Sequence, residues 1–178
     1  MGILVAGAIL VVSGCNSASG PGLESATSTA PSIHSDVPTG FDSCTDIPQS
    51  LIASERLTLP RRADSEASGG VKWLGCNWVQ SGGGYGASIK TTNITVDMVR
   101  SSGFADTQEF TIGGRSSISS RQIEERLDES CTVNVEMRGG SLEVSITNPP
   151  SAKTSDQDTC EIARQLSEKL VPSLPAGD

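Results

Sequence analysis

The sequence predicts an α+β fold: an antiparallel β-sheet with an N-terminal and a C-terminal helix packed on one face, braced by two disulfides. Three observations carry that expectation. CTVNVEM and SLEVSIT, residues 131–137 and 141–147, alternate apolar and polar positions on either side of Gly139 and Gly140, as two half-buried antiparallel strands joined by a turn do. Apolar residues recur at helical spacing towards both ends, with Leu51 and Ile52 in one segment and Ile162, Ala163, Leu166 and Leu170 in the other. Cys44, Cys76, Cys131 and Cys160 form an even set spread across the same region.

The chain has 178 residues, enough for one core of ordinary size. Its 13 Lys and Arg stand against 21 Asp and Glu, a formal net charge of -8. That balance repels phosphate backbones, and no basic cluster offsets it locally, so nucleic acid is not an expected partner. Aromatic residues are only 3% of the chain, so the core must be built from Val, Ile, Leu and Ala.

Residues 3–12, ILVAGAILVV, form an apolar run too short to span a bilayer as an ordinary helix but long enough for the centre of an export signal. Val12, Ser13, Gly14 and Cys15 follow in the order of the lipobox of bacterial lipoproteins, which they resemble. By that resemblance Cys15 is the lipidation site: its thiol receives a diacylglycerol, cleavage makes it the first mature residue, and two acyl chains hold the protein at the outer face of the plasma membrane. At about 0.8 kcal/mol per buried methylene group, two chains make a durable anchor. No Lys or Arg precedes the apolar run, so the translation start is expected upstream of Met1. Residues 1–14 are therefore read as a lipoprotein signal peptide, 15–40 as the lipidated cysteine and a flexible Ser/Thr/Pro-rich stalk, and 41–175 as a single α+β domain.

The domain opens with FDSCTDIPQSLIASERL, where Thr45 or Asp46 is expected to cap a short helix with Pro48 in its first turn. Residues 58–70 are polar and charged and read as an exposed loop. KWLGCNWVQ, residues 72–80, reads as a strand with Leu74, Cys76 and Trp78 on one face. Gly82, Gly83 and Gly84 turn the chain into YGASIKT, which places Tyr85, Ala87 and Ile89 together. Ile94, Val96 and Met98 continue the alternation as further sheet, and Phe104 with the polar residues after it reads as a loop. EFTIGGRSSI, residues 109–118, reads as strand interrupted by two glycines, suiting a hairpin or a bulge. SRQIEERLDES makes a short helical turn. After the two strong strands and the turn-rich NPPSAKTSDQD, Thr159 is expected to cap the last helix and Pro172 to end it.

Four cysteines admit three pairings. Cys44 with Cys76 and Cys131 with Cys160 is favoured, because each closes a short loop, with separations of 32 and 29 residues. Loops of that size stabilise by about 3–4 kcal/mol per bond in the chain-entropy account. The spacings are unlike the close pairs of structural metal sites, and no CxxC occurs.

FDSC at 41–44, GCNW at 75–78, IGGR at 112–115, Cys131 before an alternating strand, and CEIARQL at 160–166 followed by LVPSLP occur together in this order. This frame resembles an actinobacterial lipoprotein family catalogued as domain of unknown function 3558, over about residues 38–175. The family commonly has Pro where this chain has Ser43, and an Ala-like residue where it has Ser116; neither position is a cysteine. The resemblance implies a secreted, lipid-anchored domain with a PsbP/Mog1-like fold and no established reaction.

Nothing in the sequence assembles a catalytic site. His34, the only histidine, lies in the stalk without a partner histidine. Neither GxGxxG nor GxxxxGK[ST] is present, and SEKL at 167–170 is off the Ser-x-x-Lys spacing. Glu124, Glu125, Asp128 and Glu129 cluster, with Glu124 and Asp128 on one face of a helix, but read as a solvated charge run. No enzyme activity, cofactor or metal is expected. The expected function is a noncatalytic binding or interaction module, tethered to the membrane through Cys15 and recognising an unidentified envelope protein or wall component. The alternative is a carrier of a lipid or other apolar ligand held between sheet and helices. Trp73, on the opposite strand face from Trp78, is the candidate binding-surface residue, unless it packs beneath a helix.

Overall fold

The computed structural model describes residues 32–176, so Cys15, the leader and residues 16–31 of the stalk lie outside the described residues. Eight antiparallel strands form one sheet: β1 (Leu57–Arg62), β2 (Ser65–Ala67), β3 (Val71–Gln80), β4 (Gly86–Thr92), β5 (Ala105–Ile112), β6 (Arg115–Arg121), β7 (Ser130–Met137) and β8 (Gly140–Thr147). Their order is β1-β3-β4-β8-β7-β6-β5, with β2 pairing to β3 on the same edge as β1. Helices α1 (Gln49–Glu55) and α3 (Thr159–Leu170) lie near the two ends of the domain, and a short α2 (Val96–Ser101) follows β4. Among the described residues no helix is long and apolar enough to cross a membrane.

The sheet is assembled from hairpins whose turns the glycines dictate. Gly113 and Gly114 join β5 to β6 with φ of 57° and 83°, two consecutive left-handed residues that a tight hairpin turn requires and that only glycine adopts readily. The expected interruption at these glycines is therefore a hairpin. The β7–β8 hairpin sits at the centre, where β8 pairs with both β7 and β4.

One face of this sheet is covered by α1 and α3. Ile89, Val133, Val135, Leu142, Val144 and Ile146 are fully buried there, together with Ala163, Leu166 and Leu170 of α3. Burying a side chain of this kind is worth about 1.5–3 kcal/mol, so this face dominates the stability. Both expected disulfides are present: Cys44–Cys76 ties the segment before α1 to β3, and Cys131–Cys160 ties β7 to the first turn of α3, with Cα separations of 5.2 Å and 5.0 Å.

Several local expectations are corrected. Neither Thr45 nor Asp46 caps α1, which starts at Gln49 behind Pro48. Pro48 disfavours helical geometry at the residue before it, and the aspartates instead close a turn of their own: Cys44 N donates to Asp42 Oδ1 at 2.9 Å and Asp42 N to Asp46 Oδ2 at 2.8 Å. Residues 58–70 are largely edge strand, not loop. Leu59 has φ of 55°, and the β1–β3 register shifts between Thr58 and Arg61. A proline, a bulge and charged side chains blunt a sheet edge, and the same features imitate a loop in sequence.

Ile94 to Met98 is not sheet either. The Thr95 hydroxyl accepts from Met98 N at 3.2 Å and caps α2, so Val96 and Val99, three apart, are the residues that become buried. The loop expected after Phe104 is strand β5, exposed along most of its length because it forms the other edge. At α3, Asp158 rather than Thr159 is the cap, its carboxylate accepting from Glu161 N at 3.0 Å. Thr159 is buried and its hydroxyl accepts from Arg121 Nη1 at 2.8 Å. A 3-10 turn at Val171–Ser173 carries the chain past Pro172.

Candidate functional site

Because side chains alternate along a strand, the residues between the apolar positions of β3, β4, β8 and β7 form the second face of the sheet. Strand pairing aligns Asn77, Ser88, Ser145, Thr132 and Ser120 in one row across five strands. The adjacent row sets Lys90 opposite Glu143 and Glu143 opposite Asn134. The face is thus furnished mainly with short hydroxyl and amide side chains, together with Lys90 and two carboxylates, Glu143 and, at the far end of β7, the exposed Glu136. Helix α2 packs on part of it, where Val96 and Val99 meet Ile118 in a small separate apolar cluster. Over β3, β4 and β8 the face remains partly open: Asn77 is exposed, and Trp73, Ser88, Lys90, Glu143 and Ser145 are partly exposed.

Trp73 is the largest group on this face. Its Nε1–H donates to Glu143 Oε2 at 3.2 Å. Since β4 lies between β3 and β8, the side chain reaches across β4 to make that bond. Burial pushes the Glu143 carboxyl above its ordinary value, against the lowering effect of hydrogen bonds from Trp73 and Asn134 and the charge of Lys90. Around it, Asn134 Nδ2 donates to Ser141 Oγ and Thr132 Oγ1 donates to Ser145 Oγ, both at 3.0 Å. Asn134 is fully buried and its Oδ1 has no hydrogen-bond partner among the described residues. Chemically, this arrangement offers hydroxyl donors and acceptors, an amide, and an indole fixed at its nitrogen.

Of the residues singled out in the sequence, Trp73 is on the face away from α1 and α3, opposite Trp78, which is buried on the helix side. Cys15 falls outside the described residues. His34 is exposed, and its backbone carbonyl accepts from Asn93 Nδ2 at 2.7 Å. Val37 and Pro38, placed in the stalk by the sequence, are buried. Glu124 and Glu125 lie in a single 3-10 turn, Glu124–Arg126, and with Asp128 are exposed. A turn that short does not build the helix face on which Glu124 and Asp128 were expected to meet. Among the described residues no group of three His, Cys, Asp or Glu side chains is placed to hold a metal ion.

Two features escaped the sequence reading. Glu143 is one polar position of SLEVSIT, and only strand pairing reveals that Trp73, Lys90 and Asn134 converge on it. Ser43 is buried; its hydroxyl donates to the Ile89 carbonyl and accepts from Cys76 N, the latter at 2.9 Å. Cys76 and Ile89 face each other in register, so this hydroxyl stands inside the β3–β4 ladder. The adjacent Gly75 has φ of 148°, and a Cβ there would sit 2.4 Å from the Ile89 carbonyl oxygen. The sequence marks both positions only by residue type.

Two surface clefts lie away from the open part of the polar face over β3, β4 and β8. One of about 510 Å³ opens at the turn end of the sheet between His34, Thr95, Arg115 and Glu136. Another of about 370 Å³ is lined by Val37, Phe41, Leu74 and Thr91, with Asp42 and Arg62 beside them.

No curated protein and no solved structure matches this chain. Residues 10–173 match a family model described as a protein of unknown function, DUF3558. The match spans the cysteine frame, both faces of the sheet and the segment that begins just before Cys15, and the chain belongs to the DUF3558 family.

Proposed function

We propose that this protein is a noncatalytic binding module of the actinobacterial cell envelope, a lipoprotein held at the outer face of the plasma membrane by acyl chains on Cys15. The open polar face around Trp73 is its recognition surface. The single observation that carries the binding reading is that face: an indole fixed by Glu143 beside rows of hydroxyl and amide groups, on a sheet whose other side is closed by helices and two disulfides. The membrane reading rests on Val12, Ser13, Gly14 and Cys15 behind an apolar run, and on the polar segment that follows as a spacer.

The test is gentle extraction of the native protein from its own membranes, with intact mass of its N-terminus and identification of what copurifies. A diacylated, N-terminal Cys15 and a reproducible protein or wall fragment are expected. An unmodified Cys15 refutes the tether.

A second reading, a carrier of an apolar ligand, has one observation in its favour, the cleft at Val37, Phe41 and Leu74. The side chains between α3 and the sheet are packed to zero or near-zero exposure, so a ligand would enter from that cleft. A stoichiometric lipid beyond the covalent acyl chains, in the same mass experiment, selects this reading.

A further inference from the structure

We propose that the polar face binds a neutral glycan strand, with a sugar ring against the indole of Trp73 and the chain crossing the row from Asn77 to Ser145. This rests on the reading of the protein as an envelope binding module and names the class of its ligand.

Charge selects a neutral ligand. Lys90 stands opposite Glu143 in the sheet, so the carboxylate beside the open row is locally balanced, and the exposed Glu136 lies further along β7. The chain as a whole carries a formal charge of -8, which disfavours polyanions. The side chains select a polyhydroxylated one. Solvent-facing strands ordinarily carry long charged groups, whereas Ser88 and Ser145 are short and each hydroxyl both donates and accepts, with buried Thr132 holding the Ser145 hydroxyl in place. Asn77, Ser88 and Ser145 occupy three successive strands, a floor about 10 Å long at the usual strand spacing. That is room for more than one ring.

Trp73 supplies the apolar plate that the CH-rich side of a sugar needs, and Glu143 fixes its orientation before any ligand arrives, which lowers the cost of binding. An apolar or protein ligand fits less well. Of the exposed large apolar side chains among the described residues, only Val79 belongs to this face, at the last register position of the β3–β4 pair.

The experiment is cosedimentation of the detergent-extracted full-length protein with insoluble wall polysaccharide stripped of protein and lipid. Saturable binding is expected, weakened at least tenfold by Trp73→Ala and by Ser145→Lys. Trp73→Phe, which keeps a ring but loses the bond to Glu143, is expected to fall between them and wild type. Gln165→Lys on the exposed side of α3 should bind as wild type does. Melting midpoints identify any variant that fails to fold, and Ser145→Lys serves if Trp73→Ala does not. Binding by wild type that neither Trp73→Ala nor Ser145→Lys weakens overturns the site. No sedimentation of wild type overturns the glycan assignment; recovery of a stoichiometric protein partner from the same extract then leaves the module reading standing, and recovery of none removes that too.

Discussion

On β8, Leu142, Val144 and Ile146 are wholly buried beneath the helices, while Glu143, Ser145 and Thr147, one residue out of step, are partly exposed on the other side. β4 shows the same contrast, with Ala87 and Ile89 buried and Ser88 and Lys90 partly exposed, whereas on β7 Thr132 and Asn134 are buried too and only Glu136 is exposed. The covered face is specified by volume and by removal of apolar area from water; the polar face is specified by hydrogen bonding between short side chains. A slip of one residue in any central strand would exchange the two, so the alternation fixes register as firmly as it fixes burial. The two faces therefore differ in what specifies them: the covered one supplies most of the free energy that holds the sheet, and the polar one is the face on which recognition is proposed.

The largest expected effect belongs to the covered face. Leu142→Ala should cost about 2–5 kcal/mol in denaturant unfolding, and Thr147→Ala at most about 0.5 kcal/mol. Comparable losses from both would mean that the polar face is part of the core. Replacing Cys131 and Cys160 together by Ala should cost about 3–4 kcal/mol, since it frees α3 from β7 in a loop of 29 residues. An unchanged midpoint under oxidising conditions would show that packing alone seats the helix.

A smaller effect sits where the two faces meet at the edge of β3. Ser43→Ala leaves the Cys76 N–H and the Ile89 carbonyl without the hydroxyl between them, and should cost about 1–3 kcal/mol. No change would mean that the two strands close the gap themselves.

The smallest effect is the pH dependence of the polar face. Burial raises the Glu143 carboxyl above its ordinary value of 4.5, so the folded state favours the protonated form. In the window from pH 4.5 up to the folded value, the folded protein holds the proton that the unfolded chain has released. Stability from this group is therefore full below that window and is lost as pH rises through it. Glu143→Gln should flatten the melting midpoint across the window relative to wild type, and parallel curves would contradict it.

The strands at the centre of this sheet were legible because apolar and polar residues alternate there: CTVNVEM and SLEVSIT each put the apolar residues at one parity, beneath the helices, and the polar ones at the other. The edges were only partly so. EFTI in the second half of β5 reads as strand, with Phe110 and Ile112 turned to the core, but β1 beyond Leu57 and the first half of β5 are exposed and carry no alternation to read, and Pro60 and the charged residues around it resemble a loop. At Ile94 to Met98 a period of two and a first helical turn share the same apolar positions, and the Thr95 cap decided for helix. The disulfide pairing followed from loop size. The candidate site was half legible. Trp73 could be assigned to the face opposite Trp78 by parity alone, but its partner Glu143 is 70 residues away, and nothing local to SLEVSIT distinguishes that glutamate from a solvated one.

The measurement that bears most directly on the recognition face is site-specific photocrosslinking in the native envelope. A photoreactive residue is placed at position 145 on the polar face or at position 165 on the outer side of α3. The account predicts a discrete adduct from position 145 and none from position 165. An adduct from position 165 alone would contradict it, because the working surface would then lie on the helices and the polar face would be an ordinary solvated side of a sheet.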